Sequence, residues 1–149
     1  MKNKIYNTFD EAVADVPDGS TVMIPGFGGI GMPRNLIAAL NRQGAKELTG
    51  VSNNAGNLDD KVDVSTLVEA RQMKKMICAF TAPTHPSRIT PFVEQYNNDE
   101  IEAELVPQGT LAERMRAAGS GIGGFYTPSS VGTELAEGKE HREINGRMH

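Results

Sequence analysis

Short apolar runs alternate with longer amphipathic segments along most of this 149-residue chain. Four of the runs have the length and composition of buried strands, and a turn and a segment of helical spacing follow each one. The predicted strands are 21–24, 47–52, 76–80 and 101–106. The predicted helices begin near Pro33, Asp63, Pro91 and Thr110, and two of them end near Gly44 and Gly119. The sequence therefore predicts one α/β domain over residues 1–149, a three-layer, open and mostly parallel sheet.

The first predicted strand leads directly into a glycine-rich loop. The loop consists of Pro25, Gly26, Phe27, Gly28, Gly29, Ile30 and Gly31. Residues 26–31 fit the pattern G-x-G-x-x-G between a strand and a helix, which in dinucleotide-binding folds approaches a phosphate. Those folds also need an acidic residue at the end of the next strand. This chain has Ser52-Asn53-Asn54-Ala55-Gly56 there, so an NAD site is disfavoured, and an anion-binding loop or a structural turn stays open.

Amide side chains follow two of the other predicted strands. Asn53 and Asn54 come after the second strand, and Gln108 comes after the fourth. Ligands of open parallel sheets bind beyond the carboxyl ends of the strands, so we expect these three side chains to converge on one pocket. A second glycine cluster, 119–124, contains Gly121 and Gly123 and offers further backbone N–H groups for an anion.

Composition argues against several classes of function. The net charge of −4 does not fit a nucleic-acid-binding protein. The single cysteine, Cys78, lies in an apolar run and is predicted to be a buried, inert thiol. The histidines lack metal-ligand spacing, so no metal site is expected. Glu113 lies on an amphipathic helix and is predicted to be solvated or ion-paired. No signal peptide or apolar span is evident, so we expect a cytoplasmic protein.

Several motifs, in matching order, resemble the A subunit of family I CoA-transferases, of the 3-oxoacid and 3-oxoadipate type. Residues 18–33 resemble the first signature of that family, an Asp-Gly pair, an apolar run and a glycine loop that ends in Gly-x-Pro. Residues 52–56 resemble its next loop, and residues 106–114 resemble its Pro-Gln-Gly turn and helix. Residues 119–128, 132–133 and 137–140 resemble a later glycine loop and hairpin.

The resemblance implies an enzyme that moves CoA from an acyl-CoA, often succinyl-CoA, to a 3-oxo acid or another short carboxylic acid. The reaction would be ping-pong, through a glutamyl-CoA thioester on a partner, the B subunit. This chain would then carry no catalytic residue and no tightly bound cofactor, and coenzyme A thioester would be a substrate. The family implies a cytoplasmic heterotetramer of ketone-body or aromatic-acid degradation, in which the A subunit is inactive when isolated.

The resemblance also assigns residues to the site. The loop 25–31 would associate with CoA. The acyl or carboxylate site would be lined by Asn53, Asn54, Gln108, Gly121 and Gly123.

Three segments depart from the family pattern and leave the acceptor acid open. Pro25 stands where the family usually has glycine, and 57–63 and 81–86 lack usual glycine-containing stretches. The chain also ends at His149, before further strands of the family, so we expect a C-terminally truncated form. Two alternatives remain, a non-catalytic acyl-CoA- or carboxylate-binding remnant of the fold and a protein similar to sugar-phosphate isomerases.

Overall fold

The computed structural model describes residues 4–56, 61–81, 85 and 89–149. The chain forms two compact units, of which the first ends at Glu104 and the second spans Leu105–His149. In chain order the elements are α1 (Phe9–Val13), β1 (Thr21–Met23), α2 (Arg34–Gln43), β2 (Leu48–Val51), α3 (Val64–Glu69), β3 (Met73–Cys78), α4 (Pro91–Asn97), β4 (Glu102–Leu105), α5 (Gln108–Gly119), a 3-10 helix (Glu134–Ala136), β5 (Glu143–Ile144) and β6 (Arg147–Met148). Most of the two departing segments, namely 57–60, 82–84 and 86, lies outside the described residues.

Four of the strands form one sheet in the order β1-β2-β3-β4. Strand β2 pairs in parallel with β1 and with β3. The predicted α/β class with a parallel sheet is therefore confirmed, and β1 and β4 lie at the two edges of the sheet. Within the first unit, α1 packs against α2, α2 against α3 and α3 against α4. Sequential strand order explains this row of helices, because right-handed crossovers in one direction leave them on one face.

Strand β3 begins at Met73 rather than at the predicted Met76. Met76 and Cys78 are buried in the core beneath the helices. Alternation along the strand turns Lys75 to the opposite face, where its Nζ lies 3.1 Å from a carboxylate oxygen of Glu104 on β4. Lys74 and Lys75 interrupt the apolar run, so the first half of this strand has no apolar pattern in the sequence.

Helix boundaries follow the predicted capping residues closely. Asp63 precedes α3, and its carboxylate accepts a hydrogen bond from the Ser65 backbone N–H at 2.7 Å. Gly44 ends α2 in the left-handed conformation, with φ 86°, which glycine adopts without steric strain. Gly119 is the last residue of α5 rather than its cap, since Ser120 takes that position.

The second unit is built around α5 and ends in a short antiparallel hairpin of β5 and β6. Asn145 and Gly146 connect the two strands with φ values of 52° and 75°. Two positive φ angles favour Asn-Gly in tight hairpins. The hairpin therefore lies at 143–148, C-terminal to the segments 119–128, 132–133 and 137–140 that the resemblance assigned to a glycine loop and hairpin. Across both units, no helix of the described residues is long and apolar enough to cross a membrane.

Three residues other than glycine adopt a left-handed conformation shortly before strands of the main sheet. They are Glu47, Arg71 and Asp99, with φ values of 56°, 53° and 57°. Asp99 follows the end of α4, and its backbone N–H donates to the Tyr96 carbonyl at 3.2 Å. An L-residue is strained in this conformation, and a carboxylate is repelled by the negative end of a helix.

We predict that Asp99→Gly stabilises the chain. Relief of the left-handed strain and loss of the unfavourable charge outweigh the added entropy of the unfolded chain, by about 0.5–1 kcal/mol. Urea unfolding monitored by circular dichroism measures the difference. Asp15→Gly is the control, because Asp15 is not among the residues with positive φ. That substitution should lower the free energy of unfolding, and equal effects at both positions would contradict the prediction.

Candidate functional site

The carboxyl ends of β1 and β2 bring two loops together. Met23 is in register with Val51, and the Ile24 N–H donates to the Val51 carbonyl at 2.9 Å. The glycine loop, residues 25–31, leaves β1 from this point. The amide loop, residues 52–56, leaves β2 beside it. Both loops therefore lie at the carboxyl ends of the parallel strands, where ligands of such sheets bind.

The glycine loop is a tight hairpin-like turn. The backbones of Phe27 and Ile30 exchange two hydrogen bonds, of 2.9 and 3.2 Å, across Gly28 and Gly29. Gly26 has φ 128°, and a Cβ there would lie 2.9 Å from Sδ of Met32 and 3.2 Å from the Ile30 carbonyl oxygen. The turn therefore needs glycine for its backbone conformation and for space.

Two buried amides fix this turn to the sheet. The Gly28 N–H donates to Oδ1 of Asn53 at 3.0 Å, and Nδ2 of Asn54 donates to the Gly28 carbonyl at 3.1 Å. Asn54 also donates to Asn53 Oδ1 at 3.1 Å and accepts from the Gly56 N–H at 2.8 Å. Asn53 and Asn54 are only 5% and 1% exposed. Both amide hydrogens and the oxygen of Asn54 are thus bonded within the protein.

This anchoring sets the direction of one peptide group. The Gly28 carbonyl points towards Asn54, and in a trans peptide the N–H of the next residue points the opposite way. The N–H of Gly29 therefore points away from the amide loop, and it has no hydrogen-bond partner among the described residues. The N–H groups of Phe27 and Ile30 close the turn instead. A glycine N–H held this way can donate to a carboxylate or to a developing oxyanion.

Apolar side chains flank that N–H group. Phe27 and Ile30 are 67% and 83% exposed, which is unusual for large hydrophobic residues on both sides of one turn. The loop thus combines a polar donor with two exposed apolar side chains. That combination suits an amphipathic acyl ligand better than a bare inorganic anion.

The remaining predicted site residues belong to the second unit. Gln108 is the first residue of α5. Gly121, with φ 69°, and Gly123 lie in the segment after α5, and a Cβ added at either position would meet no atom within 4 Å. Gly123 lines a cavity of about 760 Å³ within this unit, together with Thr110 and Tyr126, but Gln108 and Gly121 do not. Convergence of Gln108 with Asn53 and Asn54 stays a prediction.

Sequence reasoning missed a second support of the glycine loop. Arg34, the first residue of α2, donates from Nη2 to the Gly29 carbonyl at 2.8 Å and from Nη1 to the Val62 carbonyl at 2.7 Å. The sequence does indicate this contact, because Arg34 directly follows Gly-Met-Pro at the end of the glycine loop. A long side chain in the first turn of a helix can bond the loop that precedes the helix.

Gly56 packs on the cap of α3, where a Cβ would lie 2.3 Å from the Ser65 nitrogen.

Neither Cys78 nor Glu113 has the surroundings of an activated nucleophile. Cys78 is fully buried, and burial raises the pKa of its thiol to about 11, against a smaller lowering by a hydrogen bond with the Phe80 backbone. Glu113 is paired with Arg116, whose Nε lies 2.5 Å from its Oε2, as predicted. Among the described residues, no group of three or more histidine, cysteine or acidic side chains is arranged to hold a metal.

Comparisons with known proteins identify the family. A family model described as coenzyme A transferase matches residues 6–149. The A subunit of 3-oxoadipate CoA-transferase from Pseudomonas putida is 49% identical over 149 residues, which are all of this chain and 62% of that protein. The A subunit of a probable succinyl-CoA:3-ketoacid coenzyme A transferase from Bacillus subtilis is 46% identical over 98% of this chain and 58% of its own length. The chain thus spans about 60% of the length of these relatives.

A solved structure shows the same fold. The decarboxylase AibA/AibB superposes with a TM-score of 0.74 over 99% of this chain and 57% of its own, at 24% sequence identity.

We predict that Gly56→Ala destabilises the first unit by about 3 kcal/mol. The left-handed backbone, with φ 87°, and the contact with Ser65 leave no room for a methyl group. Urea unfolding measures the loss. Gly119→Ala is the matched control, because no atom lies within 4 Å of its Cβ position, and alanine in a helix should be neutral or stabilising. Equal losses in both variants would contradict this account of the amide loop.

We also predict that Cys78 makes stability fall as the pH rises from about 9 to 11. In that range the thiol of the unfolded chain ionises, but the buried thiol, with its pKa of about 11, stays protonated. Each pH unit therefore removes up to about 1.4 kcal/mol of the free energy of unfolding. Urea unfolding of the wild type and of Cys78→Ala over this range isolates the effect. Parallel pH dependences in the two proteins would refute the prediction.

Proposed function

Because the chain belongs to the coenzyme A transferase family, we propose that it is an A subunit of a two-subunit CoA-transferase. The enzyme moves CoA from an acyl-CoA such as succinyl-CoA to a 3-oxo acid, of which 3-oxoadipate is the first candidate. The B subunit supplies the glutamate that carries CoA as a thioester. The assembly is a cytoplasmic hetero-oligomer, and residues 1–149 act as a single domain of it.

One observation supports the proposal most strongly. The glycine loop presents a fixed Gly29 N–H between the exposed side chains of Phe27 and Ile30, at the carboxyl ends of two parallel strands. An acyl-CoA has a thioester carbonyl that becomes negative on attack and an apolar acyl and pantetheine chain next to it. The loop offers a donor for the first and apolar surface for the second.

The chain orients the reactants, and its partner performs the covalent step. The partner's carboxylate takes the acyl group's place on CoA, which releases the first acid, and the acceptor acid then takes CoA from the glutamyl thioester. During both steps Gly29 can stabilise negative charge on the reacting carbonyl oxygen. Asn54 acts through Gly28, because its own amide groups are bonded within the protein. We keep Gln108, Gly121 and Gly123 as predicted acyl- or carboxylate-binding residues.

The alternative is a non-catalytic protein that keeps the loops and binds acyl-CoA or carboxylates. It would show the same glycine loop, so the loop does not discriminate between the two functions. Formation of a covalent CoA adduct on a partner does discriminate.

We predict that the isolated chain transfers no CoA and that a mixture with the B subunit of a 3-oxoadipate CoA-transferase does. The measurement is formation of 3-oxoacyl-CoA from succinyl-CoA and a 3-oxo acid. With succinyl-CoA alone, intact-mass spectrometry should show CoA attached to the B subunit.

The control is a variant of the B subunit with glutamine in place of the thioester-forming glutamate, and it should give neither product nor adduct. Binding of acyl-CoA without an adduct on the unmodified partner would favour the non-catalytic alternative. Transfer of CoA by the isolated chain would refute the proposal that the B subunit supplies the thioester-forming glutamate.

A further inference from the structure

Helix α2 begins without the residues that usually stabilise a helix N-terminus. Its N-cap is Pro33, which makes no side-chain capping hydrogen bond, and its first turn contains no acidic residue. Arg34 occupies the first position instead, where the helix dipole disfavours a positive charge. The guanidinium is compensated by carbonyl groups outside the helix, which indicates that another contact determines this position.

Those carbonyl groups belong to two separate segments. Nη2 donates to Gly29 in the glycine loop at 2.8 Å, and Nη1 donates to Val62 at 2.7 Å, just before the capping residue of α3. The side chain is half-buried. One rigid guanidinium therefore joins the tip of the glycine loop to the start of α3.

The two bonds to the tip of the loop act on adjacent peptide groups. Asn54 holds the Gly28 carbonyl, and Arg34 holds the Gly29 carbonyl. Together they fix the rotation of the peptide groups on both sides of Gly29. A glycine between two unrestrained peptides would sample many orientations, because it has no side chain to limit them.

We propose that Arg34 is a positioning residue that holds the Gly29 N–H in one orientation. The part that concerns acyl-CoA rests on the proposed function, and the part that concerns the loop does not. Lysine is a poor substitute, because its ammonium group lacks the planar fork that reaches two carbonyls in fixed directions.

Three variants of the full chain test the proposal. Arg34→Met removes the guanidinium and keeps most of the aliphatic stem, and Arg34→Lys keeps the charge. Arg42→Met is the matched control, since Arg42 is on the same helix but its Nη2 lies 2.6 Å from an oxygen of Asp10, with both side chains exposed.

Amide hydrogen exchange measured by NMR gives the decisive result for the loop. We expect exchange at Gly28 and Ile30 to be at least about tenfold faster in Arg34→Met, as for loss of a hydrogen bond to a charged group, and intermediate in Arg34→Lys. Exchange at Met76 in the core and throughout Arg42→Met should match the wild type. Unchanged loop exchange, or equal acceleration at Met76, would overturn the proposal.

Kinetics with the B subunit tests the consequence for the reaction. We expect kcat/KM for acyl-CoA to fall at least about tenfold in Arg34→Met, with partial recovery in Arg34→Lys and no change in Arg42→Met. Faster loop exchange with unaltered kinetics would overturn the role of Arg34 in the reaction. If the wild-type mixture transfers no CoA, the proposed function fails, and the exchange data still decide whether Arg34 positions the loop.

Discussion

The buried amides of Asn53 and Asn54 are the constraint on which the arrangement of the site depends. A buried amide without hydrogen-bond partners costs about 1–3 kcal/mol per group, so these side chains must be bonded wherever the chain places them. Their partners are Gly28 of one loop and Gly56 of another, together with each other. Satisfying the two amides therefore determines how both loops leave the sheet.

Glycine makes this arrangement possible, because at three positions a neighbouring segment lies too close for a Cβ atom. A Cβ at Gly50 in the middle of β2 would lie 2.6 Å from Sδ of Met76 on β3. Gly56 lies directly against the cap of α3, and Gly26 lies against Met32. Methionine at two of these contacts can adjust to fill irregular space. These glycines thus serve packing between elements as well as the conformation of the glycine loop.

The sequence predicted the parts of this structure that depend on local rules. The strand–helix alternation, the start of α3 at Asp63 and the end of α2 at Gly44 follow from periodicity and capping preferences, and the structure confirms them. Two local signals were overlooked. Thr8 and Glu11 form a capping motif at the start of α1, and Asn145-Gly146 forms the tight turn of the hairpin.

The partners of Asn54 and Arg34 could not be predicted in the same way. A side chain that follows a parallel strand can be placed at the carboxyl end of the sheet from the sequence alone. The direction in which that side chain points depends on the register of the strand. A shift of one residue in β2 would exchange the faces of Asn53 and Asn54. Arg34 bonds Val62, which lies 28 residues further along the chain, and this contact exists only after α2 and α3 have packed. Such long-range contacts carry no periodic signature.

The composition of the two loops limits the chemistry that this chain can contribute. Residues 25–31 and 52–56 contain no titratable side chain, so they offer hydrogen bonds, apolar contacts and the buried hydroxyl of Ser52, but no ionisable nucleophile, acid or base. A decarboxylase shares the fold, which shows that the sheet does not dictate a reaction. An orienting site without a reactive group needs one from elsewhere. Under the proposed function CoA passes between two carboxylates, and a carboxylate from a partner is the simplest group that completes the site, because it is chemically equivalent to the donor and acceptor acids and can form the same thioester.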